Sequence, residues 1–141
     1  MKLIIEGTPI PKQSARFYSR GGKVFSYQTQ KIKQNASNIA LQVKNQLPPN
    51  FRIWDGAIEV KQLHFIFPCL KSFPKRKIKA IQEGEKFYKE TKPDLSDNLP
   101  KSLFDSLQGI LYANDSQIVK MNDIEKYYGL EGKIILEIEA I

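Results

Sequence analysis

The 141-residue sequence predicts an α/β fold of the two-layer α+β kind, one mixed β-sheet with helices packed over one face. Two amphipathic segments of helical period, several short runs rich in β-branched and aromatic residues, and their interleaved order point there. LIIEG (3–7) reads as a first strand, and the prolines of TPIPKQSARFY then impose an extended path. In RFYSRGGKVFSY, two apolar runs flank Arg20-Gly21-Gly22-Lys23, the signature of a hairpin, because both glycines accept positive φ. From Gln28 to Leu47 the residues Ile32, Ala36, Ile39, Ala40, Val43 and Leu47 recur at spacings of three and four, the stripe of a helix that Pro48-Pro49 ends.

AIEVKQLHFIF (57–67) alternates and then becomes wholly apolar, as a buried strand would. Pro74 can open a short helix with Lys75, Arg76, Lys77 and Lys79 on its outer face. A second amphipathic helix is predicted from Asn98 to Gln108, with Leu99, Leu103, Phe104 and Leu107 inward and Gly109 as its stop. SQIVKMNDIEKYYG and KIILEIEAI read as two strands paired around Leu130-Glu131-Gly132. No repeat or composition shift divides the chain, so residues 1–141 are expected to form a single domain.

Composition narrows the function. Lys and Arg number 22 against 15 Asp and Glu, a net charge of +7 that suits a polyanionic partner. No run of eighteen apolar residues occurs and the N-terminus lacks the form of a signal peptide, so a cytoplasmic protein without a membrane partner is expected. One cysteine, Cys69, and one histidine, His64, exclude an internal disulfide and a cysteine-built zinc site. His64, in an apolar strand, reads as structural.

Against this basic background, KPDLSDNLPKSLFDSLQGILYANDSQ (92–117) gathers Asp94, Asp97, Lys101, Asp105 and Asp115. Two accounts fit. In one, Asp97 caps the helix, Lys101 pairs with Asp105 one turn on, and Asp94 and Asp115 sit in loops. In the other, Asp94, Asp97 and Asp115 hold a hydrated divalent cation whose remaining ligands are water and substrate phosphate, with Lys101 beside it.

The same block resembles the core motif of the RusA family of Holliday-junction resolvases, which reads approximately D-x-D-N-x-x-K-x-x-x-D-x-L and, after an apolar stretch, D-D-x-Q-[IV]. EGTPIPKQSARF is similar to that family's N-terminal G-x-P-x-x-K-x-R-x-R segment. The resemblance implies metal-binding aspartates at Asp94, Asp97 and Asp115, a catalytic lysine at Lys101, and Mg²⁺ as cofactor with Mn²⁺ as substitute. It further implies a homodimer acting on four-way junction DNA in recombination and repair, of phage or prophage type. Two departures stand out: Ser96 lengthens D-x-D to D-x-x-D, and Asn114 replaces an aspartate beside Asp115, leaving its carbonyl as a secondary donor.

Candidate phosphate contacts are Lys12, Arg16 and Arg20 with Lys23 in the N-terminal segment, Phe17 and Tyr18 between them, and a second run of Lys71, Lys75, Arg76 and Lys77. The second run equally reads as a solvated helix face. Phe73 beside it is either a junction wedge or a packing residue, and Trp54, Tyr127 and Tyr128 are expected to pack or to meet a second copy. The function this sequence predicts is Mg²⁺-dependent, structure-selective endonuclease cleavage. The alternatives are a catalytically silent DNA-binding module, or a basic α/β protein whose acids are only caps and salt bridges.

Overall fold

The computed structural model describes residues 1–12, 16–21, 23–27 and 30–141, and for 16–20 and 23–27 it describes the backbone path. Eleven-residue β4 (Ile58–Pro68) is the axis of the fold. On one side it pairs antiparallel with β7 (Lys133–Ala140), which pairs antiparallel in turn with β1 (Lys2–Glu6). On its other side it pairs parallel first with β5 (Ile118–Met121), through Ile58–Val60, and then with β6 (Ile124–Gly129), through Leu63–Pro68. A separate hairpin joins β2 (Arg16–Arg20) to β3 (Lys23–Tyr27). Gly21 lies at its turn with φ 59°, while Gly22 falls outside the described residues, as does the predicted helix start at Gln28.

The helices lie where their stripes predict. α1 (Gln30–Gln46) buries Ile39 and Val43, with Ile32, Ala36 and Ala40 half-buried along the same face. α3 (Asn98–Leu107) buries Leu99, Leu103, Phe104 and Leu107. Both join a core with Leu3 and Ile5 of β1, Leu63, Phe65 and Phe67 of β4, and Ile134, Leu136 and Ile138 of β7. Each such aliphatic or aromatic side chain contributes about 1.5–3 kcal/mol when withdrawn from water. Gly109, with φ 82°, closes α3 as expected. Short α2 (Lys75–Gln82) follows Pro74 and buries Ile81.

One expectation fails. The two C-terminal runs do not form a hairpin with each other; the first splits into β5 and β6, and β4 runs between β6 and β7. The link Leu130–Gly132 therefore steps across the end of β4, where the Gly129 carbonyl accepts from the Cys69 N–H at 3.0 Å. That step needs its glycines. A Cβ on Gly129 would stand 2.6 Å from Ile66 Cγ2, and one on Gly132 would stand 2.7 Å from Thr8 Cα. Alternation along a strand reports which face is buried but not which neighbour it finds.

Strand β1 is an edge, and α1 closes it. The Gln46 side-chain amide accepts from the Ile4 N–H at 3.0 Å and donates to the Ile4 carbonyl at 2.7 Å. Gln42 does the same at Glu6, at 2.8 and 2.9 Å. Among the described residues, no helix is long and apolar enough to cross a membrane.

Candidate active site

Helix α3 organises the acidic block. Asp97 stands at its N-cap position, yet its carboxylate makes no capping hydrogen bond. Asn98 does the local work instead. Its side-chain oxygen accepts from the Asp94 N–H at 3.2 Å, and its carbonyl accepts from the Lys12 N–H at 2.9 Å. The Asp94 carbonyl accepts from the Leu99 N–H at 3.2 Å, which ties the loop before the helix to its first turn. Asn98 thus holds both Asp94 and the N-terminal segment against the start of α3, a positioning role the sequence reading did not assign. Its place in a D-N dipeptide at a helix start was the available signal.

The Lys101–Asp105 pair does not form. Asp105 takes its salt bridge from Lys12, whose side chain is 35% exposed against 27% for Asp105. Lys101 is exposed and has no acidic partner within 4.0 Å among the described residues. Spacing along one helix made Lys101 the obvious partner, but the segment held by Asn98 brings a competitor in from 93 residues away.

Asp115 opens a single 3-10 turn, Asp115–Gln117, at the far end of α3. Its N–H donates to the Gln108 side chain at 3.2 Å. Asn114 caps this turn: its side-chain oxygen accepts from the Ser116 N–H at 2.9 Å, and the Gln117 side chain accepts from the Asn114 N–H at 3.0 Å. The Asn114 side-chain oxygen thus spends one of its two lone pairs on the cap. Gln117 also donates to the carbonyls of Trp54 and Gly56, at 2.9 and 3.0 Å, fastening the turn to the chain before β4.

Beneath lies Tyr112, fully buried, donating to the Phe104 carbonyl at 2.8 Å. Burial first, then the charges of Asp115 and Asp105, push its hydroxyl well above the usual tyrosine range. Asp94 and Asp97 are exposed and Asp115 is half-exposed, so all three are open to solvent. The one set of three or more His, Cys, Asp or Glu whose donor atoms all lie within 4.8 Å, among the described residues, is His64, Asp123 and Glu125. Asp94, Asp97 and Asp115 thus border the α3 face without closing into a cage.

Of the basic residues, Lys71, Lys75 and Arg76 are exposed around the start of α2. Lys77 corrects the predicted outer face: it is half-buried, its ammonium 4.0 Å from the Phe73 ring centre and 5.0 Å from that of Phe87. Phe73 packs edge-on to Tyr128 with ring centres 4.8 Å apart, a packing residue rather than a free wedge. Trp54 packs edge-on to Phe51 at 5.4 Å. The side chains of Arg16, Phe17, Tyr18, Arg20 and Lys23 lie outside the described residues.

The chain is 27% identical over 141 residues to a Bacillus subtilis (strain 168) protein named "Uncharacterized protein YqaN", covering all of this chain and 96% of that protein. The family model described as "Endodeoxyribonuclease RusA" matches residues 6–139. A match of that extent takes in β4 to β6 and nearly all of β7, the three described helices and the α3 acids together, and the chain belongs to the RusA family of endodeoxyribonucleases, the Holliday-junction resolvase nucleases.

Proposed function

We propose that this chain is a Mg²⁺-dependent endonuclease that resolves four-way DNA junctions by paired nicks, working as a homodimer in DNA recombination and repair. The observation that carries the reading is the set of charges α3 leaves uncommitted. Asp97 stands at a helix N-cap without capping, and Lys101, one turn on, has no acidic partner among the described residues.

The residues fit the ion by donor chemistry. Asp94, Asp97 and Asp115 offer oxygen ligands only, open to solvent, as suits a cation that keeps several waters and completes its shell with phosphate. Asp94 and Asp97 stand at the start of α3 and Asp115 past its end, about 15 Å along the axis, so holding one ion with all three requires the chain around Asp115 to close in. Bound there, Mg²⁺ supplies Lewis-acid activation of water and offsets phosphate charge. Lys101 faces the charge that builds on the phosphate oxygens as the water oxygen bonds to phosphorus and one P–O ester bond breaks. The attacking water gives up one proton to solvent and the departing alkoxide takes one, which the Lys101 ammonium can supply before regaining a proton from solvent. Lys12, Arg16, Arg20, Lys71, Lys75, Arg76 and Lys77 supply phosphate contacts, with Lys77 contributing field from its seat over Phe73. Two symmetric cuts across a junction require two sites related by a dyad, hence a second copy.

A synthetic four-way junction tests this. Purified protein should nick it in Mg²⁺ and not in chelator, and Asp115→Asn should abolish nicking while junction binding survives. Binding without cleavage in either Mg²⁺ or Mn²⁺ would reassign the chain to a silent junction-binding module.

A further inference from the structure

A second cluster lies on the sheet face turned away from α1 and α3, since alternation along β4 sends His64 opposite to Leu63 and Phe65 of the core. His64 of β4 stands in register with Glu125 of β6, and Asp123 sits in the turn between β5 and β6. His64 Nε2 is 3.1 Å from Asp123 Oδ1 and 3.7 Å from Glu125 Oε2. His64 is only 7% exposed, and its Nε2 is buried without a hydrogen-bond partner. An N–H there, though near Asp123, aims at neither carboxylate oxygen. A buried ring nitrogen left so is costly unless something else meets it.

Every neighbouring atom is already turned to leave that space open. His64 Nδ1 lies 2.9 Å from the Tyr127 hydroxyl oxygen; with the ring proton on Nδ1 donated to that oxygen, Nε2 keeps its lone pair for a ligand. Asp123 Oδ2 accepts from Gln62 at 3.3 Å, and Glu125 Oε1 accepts from Lys86 at 2.6 Å, so Oδ1 and Oε2 remain to face His64. Asp123 holds φ 49°, a left-handed backbone that turns its side chain back to the strand. Zinc bonds of about 2.0–2.1 Å in a tetrahedron place donors about 3.4 Å apart, between the two separations observed.

The geometry points to a binding site for a borderline divalent metal, zinc in class, built from His64 Nε2, Asp123 Oδ1 and Glu125 Oε2. One nitrogen and two carboxylate oxygens favour a transition-metal ion over Mg²⁺, which asks for six oxygens. Asp123 is 46% exposed in its side chain, so the fourth position opens to water. The two carboxylates balance the charge of the ion beside a neutral imidazole. The ion would staple β4 to the β5–β6 turn beside an irregular stretch of β4: against β7 the strand shifts register between Val60 and Gln62, and the Asn122 N–H donates to the Val60 carbonyl at 2.8 Å. It stands on the other face of the sheet from α3 and is independent of the nuclease reading.

Because His64 is the only histidine in the chain, every imidazole resonance reports on this site. With millimolar Mg²⁺ present, one equivalent of zinc should shift the His64 ring signals in slow exchange and raise the melting temperature. Glu125→Gln and Asp123→Asn should each weaken zinc binding by at least about tenfold, while Asp97→Asn should leave it unchanged. Ring signals unmoved by excess zinc, or moved equally in both cluster variants, would overturn the site. So would zinc binding that disappears in Asp97→Asn, because the ion would then belong to the α3 acids.

Discussion

Two acids eight positions apart on α3 should separate function from stability in opposite directions. Replacing a capping side chain ordinarily costs about 0.5–2 kcal/mol. Asp97 makes no such bond and is exposed, so Asp97→Asn should forfeit only the favourable interaction of its charge with the helix N-terminus, about 0.3–1 kcal/mol. Even outer partners of a metal ligand are worth about 10–100-fold, so a lost ligand should lower junction nicking by at least about a hundredfold. Asp105→Asn should do the reverse to stability. Its bridge to Lys12 is a third exposed, which screens it to about 1 kcal/mol, or about 3 °C for a domain of this size. Urea denaturation and single-turnover cleavage of a labelled junction measure both quantities, and a Lys12→Ala/Asp105→Asn cycle should return a coupling of similar size. An Asp97→Asn variant destabilised by more than about 1.5 kcal/mol, or one that still nicks within threefold of wild type, would refute the reasoning.

Tyr112→Phe should cost about 1 kcal/mol at pH 8, because the Phe104 carbonyl loses its hydroxyl donor. The folded state raises the pKa of Tyr112, so this contribution is complete below the unfolded tyrosine value of about 10 and fades as pH rises above it; urea midpoints should converge toward pH 11, and parallel pH curves for the two proteins would contradict this. Gly132→Ala brings a Cβ to 2.7 Å from Thr8 Cα and 2.8 Å from Thr8 N, backbone atoms that cannot rotate away. It should cost about 1–3 kcal/mol, and a melting temperature equal to wild type would show that the crossing over β4 yields more freely than its packing implies.

How far the sequence reaches depends on the distance over which each residue finds its partner. The stripe of Ile39 and Val43, the inward face of α3 and the buried run of β4 were legible because their periodicity is local. The exchange of Lys101 for Lys12 at Asp105 was not, since a spacing of four says who can meet, not who arrives first. The pairing of β6 and β7 with β4 escaped for the same reason: each strand declares its buried face, while its neighbour is fixed by residues from 61 to 82 positions away. Asp94, Asp97, Lys101 and Asp115 were nameable through the family motif, whereas His64 gave no sign of its acidic neighbours. Asp123 and Glu125, two apart where a strand begins, were the trace of a shared face.

The glutamines that clasp β1 have a consequence for assembly. By offering paired amide donors and acceptors, Gln42 and Gln46 imitate the neighbouring strand that an open rim would recruit. At β6 the rim is likewise taken up, by Phe87 accepting from Tyr128 and Lys89 donating to Lys126. Only β5, four residues long, offers little to extend. Among the described residues the five-stranded sheet is finished within one protomer, so a homodimer of the kind proposed above would rest on surface shape and charge and not on lengthening that ladder.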